Sequence, residues 1–114
     1  MLKLRHRTGD GITVSGDGME VELLIEEQGC IDCVVLIRPG TTPVKIALSG
    51  MKGIRTPKLI DGEILTSLRT GDHIYLGDDG ASVKVLSHCD LNTTFSYKLP
   101  ASVRILTDRT ARRI

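Results

Sequence analysis

The sequence has few aromatic residues and none of the residue spacings that mark a common catalytic site. Aromatics make up 3% of its 114 residues, and there is no tryptophan. Single-stranded RNA platforms of the stacking type present several aromatic faces, so we expect any RNA contact to be made by Arg, Lys and the backbone. No Ser-His-Asp set, carboxylate pair or phosphate loop occurs at a recognisable spacing. We therefore predict no enzyme activity and no cofactor.

Cysteines and long apolar runs are also scarce. An odd number of cysteines, three, argues against a secreted disulfide scaffold, and we expect a reducing, cytoplasmic location. The spacing Cys30-x-x-Cys33 is that of half a zinc site, which His88 and Cys89 could complete. On a strand, however, residues i and i+3 point to opposite faces, so free thiols are favoured and no metal site is predicted. The longest apolar run, 33–37, is far below the ~20 residues of a membrane helix, so no membrane partner is expected.

The formal net charge is +1, but charges of one sign are missing from two long segments. Residues 10–37 contain seven carboxylates and no Lys or Arg, whereas residues 38–60 contain five cations and no carboxylate. The net charge by itself gives no reason to expect a nucleic-acid or acidic partner. The acidic segment favours a protein partner.

What the sequence does contain is an internal repeat. Residues 7–24 align without a gap to residues 69–86, a constant offset of 62, with nine of 18 positions identical. Unrelated segments of this composition would share about one position. The identities begin with Arg-Thr-Gly-Asp at 7–10 and 69–72 and include Asp17-Gly18 with Asp79-Gly80, and Val21 with Val83. The chain is therefore interpreted as two copies of one small unit.

Period-two alternation predicts an all-β fold, and Gly-Asp clusters predict the turns between strands. The predicted strands are 2–7, 11–15, 19–27, 32–38, 43–48, 64–69, 73–77, 81–88, 93–99 and 102–107. Residues 49–62 carry little periodicity and are predicted to be a linker between a first copy, 1–48, and a second copy, 63–114. Residues 108–114 could form one helical turn.

The opening of each copy resembles the carbon storage regulator family, small bacterial proteins that bind messenger RNA and control translation. The family opens with a pattern close to M-L-x-L-x-R-R-x-G-E, and Met1, Leu2, Leu4, Arg7 and Gly9 match it here, with Asp10 in place of Glu. Further matches are 21–24 and 83–86 to its Val strand, 76–78 to its I-G-D, and 100–105 to its P-K-E-V-A-V.

This resemblance implies a fold and a binding site. Family members are dimers that exchange their first and last strands, so two five-stranded antiparallel units would form an intramolecular pseudo-dimer, a monomer with pseudo-twofold symmetry or a higher assembly. The family binds RNA through its first strand and through an arginine after V-A-V. That arginine falls on Leu48 and Thr107 here, and His6 and Leu68 replace another first-strand arginine. The candidate RNA-binding residues are Leu4, Arg5, Arg7, Lys45, Arg69 and Arg104.

Structural interpretations compete with this one. Lys3, Arg5, His6 and Arg7 form the best candidate binding face together with Arg69. Alternatively, Arg7 and Arg69 each pair with the Asp three residues on and lock a turn. His73 is expected to be a solvated turn residue.

Two functions follow from these patterns. The first is a divergent, RNA-binding, post-transcriptional regulator that controls translation. The second is a structural or protein-interaction module, such as a phage-type or accessory protein, that kept the fold and lost the RNA site. The first is the leading interpretation, and the second is its alternative.

Overall fold

The computed structural model describes residues 2–49, 57–78, 80–89 and 92–108, and this part of the chain is all-β. It contains no helix, and so none long and apolar enough to cross a membrane. The strands are β1 Leu2–His6, β2 Gly11–Gly16, β3 Met19–Gln28, β4 Asp32–Arg38, β5 Val44–Ala47, β6 Lys58–Ile60, β7 Glu63–Arg69, β8 His73–Leu76, β9 Ala81–Cys89, β10 Asn92–Lys98 and β11 Arg104–Asp108. Met1, Asp79 and the helical turn considered for 108–114, apart from the backbone of Asp108, lie outside the described residues.

The strands form two antiparallel sheets. The first sheet has the order β1-β10-β9-β8-β5, and the second has the order β11-β2-β3-β4-β7-β6. In the first sheet, β1 and β5 come from the beginning of the chain and flank three strands from its end. In the second, β11 and β7 flank three strands from the beginning of the chain. Neither sheet is therefore complete without both ends of the chain.

The core lies between the two sheets and is built by the alternation seen in the sequence. Val21, Leu23 and Ile25 on β3 are fully buried, as are Ile12 and Val14 on β2. Burying side chains of this size stabilises the fold by about 1.5–3 kcal/mol each. The first sheet contributes the remaining apolar layer, which includes Ile74, Leu76, Val83, Val85, Phe95 and Tyr97.

The strand register does not follow the gap-free alignment of residues 7–24 with residues 69–86. Ile12 lies opposite Leu23, whereas Ile74 lies opposite Val83. Val83 therefore corresponds by register to Leu23 and not to Val21, and the offset falls from 62 to 60 beyond the hairpin turn. The first hairpin turns through two residues, Asp17 and Gly18, both with positive φ, as a tight hairpin requires.

A short strand also lies within the segment predicted to be a linker. β6 pairs with β7 through a turn at Asp61 and Gly62, whose φ angles are 49° and 80°. These angles are those of a two-residue type I′ turn, for which Asp-Gly is a preferred sequence. The expectation that residues 58–60 form no strand was wrong, and residues 50–56 of the linker lie outside the described residues.

Candidate nucleic-acid interface

The outer face of the first sheet carries two rows of side chains that cross all or most of its strands. Because directly paired residues in an antiparallel sheet project to the same side, the register defines each row. One row is Lys3, Ser96, Lys84, His73 and Ala47. The next is Lys98, Ser82, Tyr75 and Lys45, and Arg5 with Thr94 lies on the other side of the first row. These residues are called the basic face below.

Charges on the basic face have one sign. It carries five cations, Lys3, Arg5, Lys45, Lys84 and Lys98, all exposed, and no carboxylate among its paired residues. Within the described part of the chain, none of the five takes part in an ion pair. A sheet face of this kind concentrates positive potential toward solvent even though the net charge of the chain is only +1.

The outer face of the second sheet is different because its charges are mixed and partly paired. Its paired residues include five carboxylates and four cations: Glu20, Glu22, Glu27, Asp32, Glu63, Arg38, Lys58, Arg69 and Arg104. Arg38 lies between two of them, 3.0 Å from Glu63 and 2.6 Å from Glu22. The hydrogen bonds that Arg38 donates to Glu63 and Glu22 raise its pKa. One carboxylate of the acidic segment 10–37, Glu22, is therefore paired with a cation on the same sheet.

An aromatic pair lies on the basic face, and it corrects the expectation for His73. His73 is the first residue of β8 and is half-buried; it is not a solvated turn residue. Its ring is parallel to that of Tyr75, with an angle of 5° between the planes and 5.6 Å between the centroids. Tyr75 is 41% exposed, whereas Phe95 and Tyr97 are buried in the core.

The six residues predicted from the sequence to bind RNA do not converge on one site. Arg5 and Lys45 lie on the basic face but on opposite edge strands, β1 and β5. Arg7 follows β1 and is exposed, whereas Leu4 is half-buried and packs against the core.

The other two candidates lie on the second sheet. Arg104 on β11 pairs with Ser15, and Arg69 on β7 pairs with Asp32. The Nε atom of Arg69 is buried and has no hydrogen-bond partner among the described residues. Two of the six predicted residues therefore belong to the mixed face.

The two positions that correspond to the family's final-strand arginine carry no charge in this fold either. Leu48 is half-buried against the core, and Thr107 is exposed on β11 opposite Ile12. Ile46, rather than Leu48, occupies the matching place opposite Ile74 on β8. Lys45 is the basic residue of β5, and Arg104 is the basic residue of β11.

His6 is a buried core residue, so its assignment to the binding face was wrong. It is 1% exposed, and its Nε2 lies 2.6 Å from the Tyr97 hydroxyl. Its ring packs edge-on against Phe95 at 5.3 Å between centroids. Burial raises the pKa of Tyr97, so its hydroxyl keeps its proton. The reason is alternation: Lys3 and Arg5 point outward on β1, and His6 points inward.

The Arg-Thr-Gly-Asp segments form two turns with matched contacts. In each turn the Asp carboxylate accepts a hydrogen bond from the backbone N–H of the Arg, at 3.1 Å for Asp10 and 2.8 Å for Asp72. The Asp N–H donates to the Arg carbonyl at 3.0 Å in both. Gly9 and Gly71 have φ angles of 95° and 92°, which favour glycine. The Asp residues thus lock the turns through backbone amides.

The cysteines and His88 considered for a zinc site are spread between the surface and the core. Cys30 and Cys89 are exposed and Cys33 is buried, and all three are free thiols. Burial raises the pKa of Cys33 to about 11. His88 approaches Thr93 at 3.1 Å, and burial lowers its pKa. The described residues contain no group of three or more His, Cys, Asp or Glu placed to hold a metal ion.

No protein-family model, curated protein or solved structure matches this chain.

Proposed function

We propose that the chain is a divergent relative of the carbon storage regulators that binds RNA and regulates translation, with the basic face as its RNA contact surface. The observation that carries this proposal is the set of five exposed cations on one face of a sheet without a carboxylate among them. Phosphate oxygens are the ligands that such a face attracts, whatever the base sequence.

The proposal includes two copies of one unit that exchange strands within the chain. Exchanging β1 with β7, β2 with β8, β3 with β9, β4 with β10 and β5 with β11 converts the strand order of the first sheet into that of the second, apart from β6. The two Arg-Thr-Gly-Asp turns make the same backbone hydrogen bonds. A one-residue bulge also interrupts β3 at Glu26 and β9 at Leu86, positions that correspond at an offset of 60. These matches support a monomer with pseudo-twofold symmetry.

Under this proposal the two halves have diverged in charge. Lys84 on β9 lies on the first sheet, and the corresponding residue on β3, by register, is Leu24, which is 6% exposed. Lys98 on β10 corresponds to Arg38, which is neutralised by Glu22 and Glu63. One of the two outer faces is therefore suited to RNA, and the other is not.

The size of the basic face sets the expected binding behaviour. Five strands spaced about 4.8 Å apart give about 19 Å from Lys3 to Lys45. If all five cations contact phosphates, the slope of log K against log salt should be about −3.5, since each contact to a single strand contributes about −0.7.

A gel-shift titration over a salt series tests the proposal. The ligands are a hairpin with GGA in its loop and a single-stranded oligomer of the same length. Lys84→Gln and Lys45→Gln should each weaken binding and reduce the salt slope by about 0.7. Lys58→Gln, an exposed lysine on the second sheet, is the matched control and should leave both unchanged. Absence of any shift at low salt would end the RNA proposal.

A protein-interaction module is the second candidate, and exposed apolar residues on the second sheet favour it. Leu106 is 71% exposed and Ile60 is 50% exposed, at opposite edges of the row that contains Arg38. Recovery of a protein partner without nucleic acid in a pull-down, lost in Leu106→Ser but retained in Lys84→Gln, would support this function instead.

A further inference from the structure

We infer that Tyr75 and His73 form a base-stacking subsite for single-stranded nucleic acid on the basic face. The inference rests on the proposed function and names the kind of strand that the face binds. It also replaces the expectation from composition that aromatic side chains take no part in RNA contact. The pair consists of one exposed ring, Tyr75, and one half-buried ring, His73, and it lies on the face along which the nucleic acid would pass.

The geometry of the pair is suited to stacking on a flat base. The two rings lie within 5° of parallel, and Tyr75 remains 41% exposed beyond the ring of His73. The cross-strand neighbour of Tyr75 toward the centre of the sheet is Ser82, and that of His73 toward the edge is Ala47. Both neighbours have short side chains, so they leave room beside the rings for a base.

On the other adjacent strand, each of the two aromatic residues has a lysine as its neighbour. Lys45 lies opposite Tyr75 on the edge strand, and Lys84 lies opposite His73 on the central strand. Each lysine thus lies on a strand adjacent to that of its aromatic residue, with about 4.8 Å between the backbones. A nucleotide presents the complementary pair of groups, a flat base to stack on a ring and a phosphate to pair with a lysine, at adjoining positions.

The ligand is single-stranded because only an unpaired base offers its face. In a duplex the faces are stacked on their neighbours, and side chains reach only base edges and the backbone. Stacking tolerates any base, since every base has a π face. The inferred subsite therefore selects strandedness rather than sequence.

The test uses the intrinsic fluorescence of the tyrosines. The chain has two tyrosines and no tryptophan, and Tyr97 is buried at 2% exposure. Stacking of a base on Tyr75 should therefore quench the fluorescence of Tyr75 and leave the fluorescence of Tyr97 as a constant background. The probes, at one fixed salt concentration, are a single-stranded RNA octamer, a single-stranded DNA octamer of the same sequence, a duplex RNA and inorganic polyphosphate.

Variants separate stacking from charge. Tyr75→Leu should weaken binding of the RNA octamer by about 5- to 150-fold, the loss measured for one stacked base, and abolish the quenching. It should leave polyphosphate binding unchanged, because the five cations remain. Tyr75→Phe keeps the ring and should bind the octamer nearly as well as the unchanged protein. Circular dichroism checks that each variant is folded.

The outcomes distinguish the inference from the proposed function. Quenching by single-stranded RNA and DNA but not by polyphosphate supports the inference. If the octamer binds with equal affinity to Tyr75→Leu, or if duplex RNA binds as tightly as the single strand, the stacking subsite is overturned while RNA binding stands. If no nucleic acid binds even at low salt, the proposed function fails and the inference fails with it.

Discussion

Replacing Asp72 by asparagine tests whether the turn that begins the second half of the fold is held by a buried carboxylate. Asp72 is fully buried, and its carboxylate accepts hydrogen bonds from Ser49 and Arg69. Its Oδ1 accepts from the backbone N–H of Ser49 at 2.6 Å and from the Ser49 hydroxyl at 2.9 Å. Its Oδ2 accepts from the backbone N–H of Arg69 at 2.8 Å. The carboxylate thus ties the segment after β5 to the turn between β7 and β8.

The expected cost follows from counting the donors. An asparagine side chain has one acceptor oxygen, which can keep both contacts to Ser49. Its NH₂ group then faces the backbone N–H of Arg69, so this part-buried donor loses its partner. One hydrogen bond to a charged group is lost and one amide is left unpaired, a cost of about 1.5–3 kcal/mol. For a chain of this size the melting temperature should fall by about 6–12 °C.

Urea and thermal unfolding followed by circular dichroism measure the effect. The urea midpoint should fall with an unchanged slope, since the unfolded surface is the same. Asp78→Asn is the matched control because Asp78 is an exposed carboxylate in the next turn, and its effect should stay within about 0.5 kcal/mol. If Asp72→Asn is as stable as Asp78→Asn, the carboxylate does not hold the turn.

Three further predictions follow from the described contacts. Gly16→Ala should cost about 1–3 kcal/mol in urea unfolding, more than Gly18→Ala, because both have positive φ but only at Gly16 would a Cβ overlap the Ser102 carbonyl. At pH 8 a thiol reagent should label the two exposed cysteines of the native protein and Cys33 only after unfolding, since burial raises the pKa of Cys33 to about 11; rapid labelling of all three would contradict this. Burial lowers the pKa of His88, so the unfolded chain binds more protons than the folded one as the pH falls below about 6.5, and stability falls; His88→Gln should lose less melting temperature between pH 7 and pH 5 than the unchanged protein.

The strands were predictable because alternation and turn chemistry are local. For example, the predicted strand 19–27 corresponds to Met19–Gln28, and each of the ten predicted strands is present. Periodicity failed at β6, where three residues are too few to show a pattern. The Asp61-Gly62 pair was the available signal, because Asp-Gly between apolar segments is typical of a hairpin.

Register and the interface depended on information that is not local. The β2–β3 and β8–β9 hairpins both contain Asp-Gly, so sequence identity could not reveal that their loops differ in length. The first loop has two residues between the paired positions, and the second, between Leu76 and Ala81, has four. The cations of the basic face lie far apart in sequence, at Lys3, Lys84 and Lys98, and come together only through the sheet order. His6 was wrongly grouped with its basic neighbours Lys3 and Arg5, because alternation along β1 turns its side chain to the opposite, buried face.

The interlocked strand order also has a consequence for how the chain folds during synthesis. Among the described strands, β1 pairs only with β10 and β5 only with β8, and the contact between His6 and Tyr97 joins residues 91 positions apart. Such non-local pairing gives slow folding, because the chain must lose the entropy of closing long loops before the stabilising contacts can form. While the ribosome is still making the second half, β2, β3 and β4 can form a meander whose two edges are open to other chains. β10 then completes the first sheet by pairing with β1, and β11 completes the second by pairing with β2, so the last strands made hold the first in place.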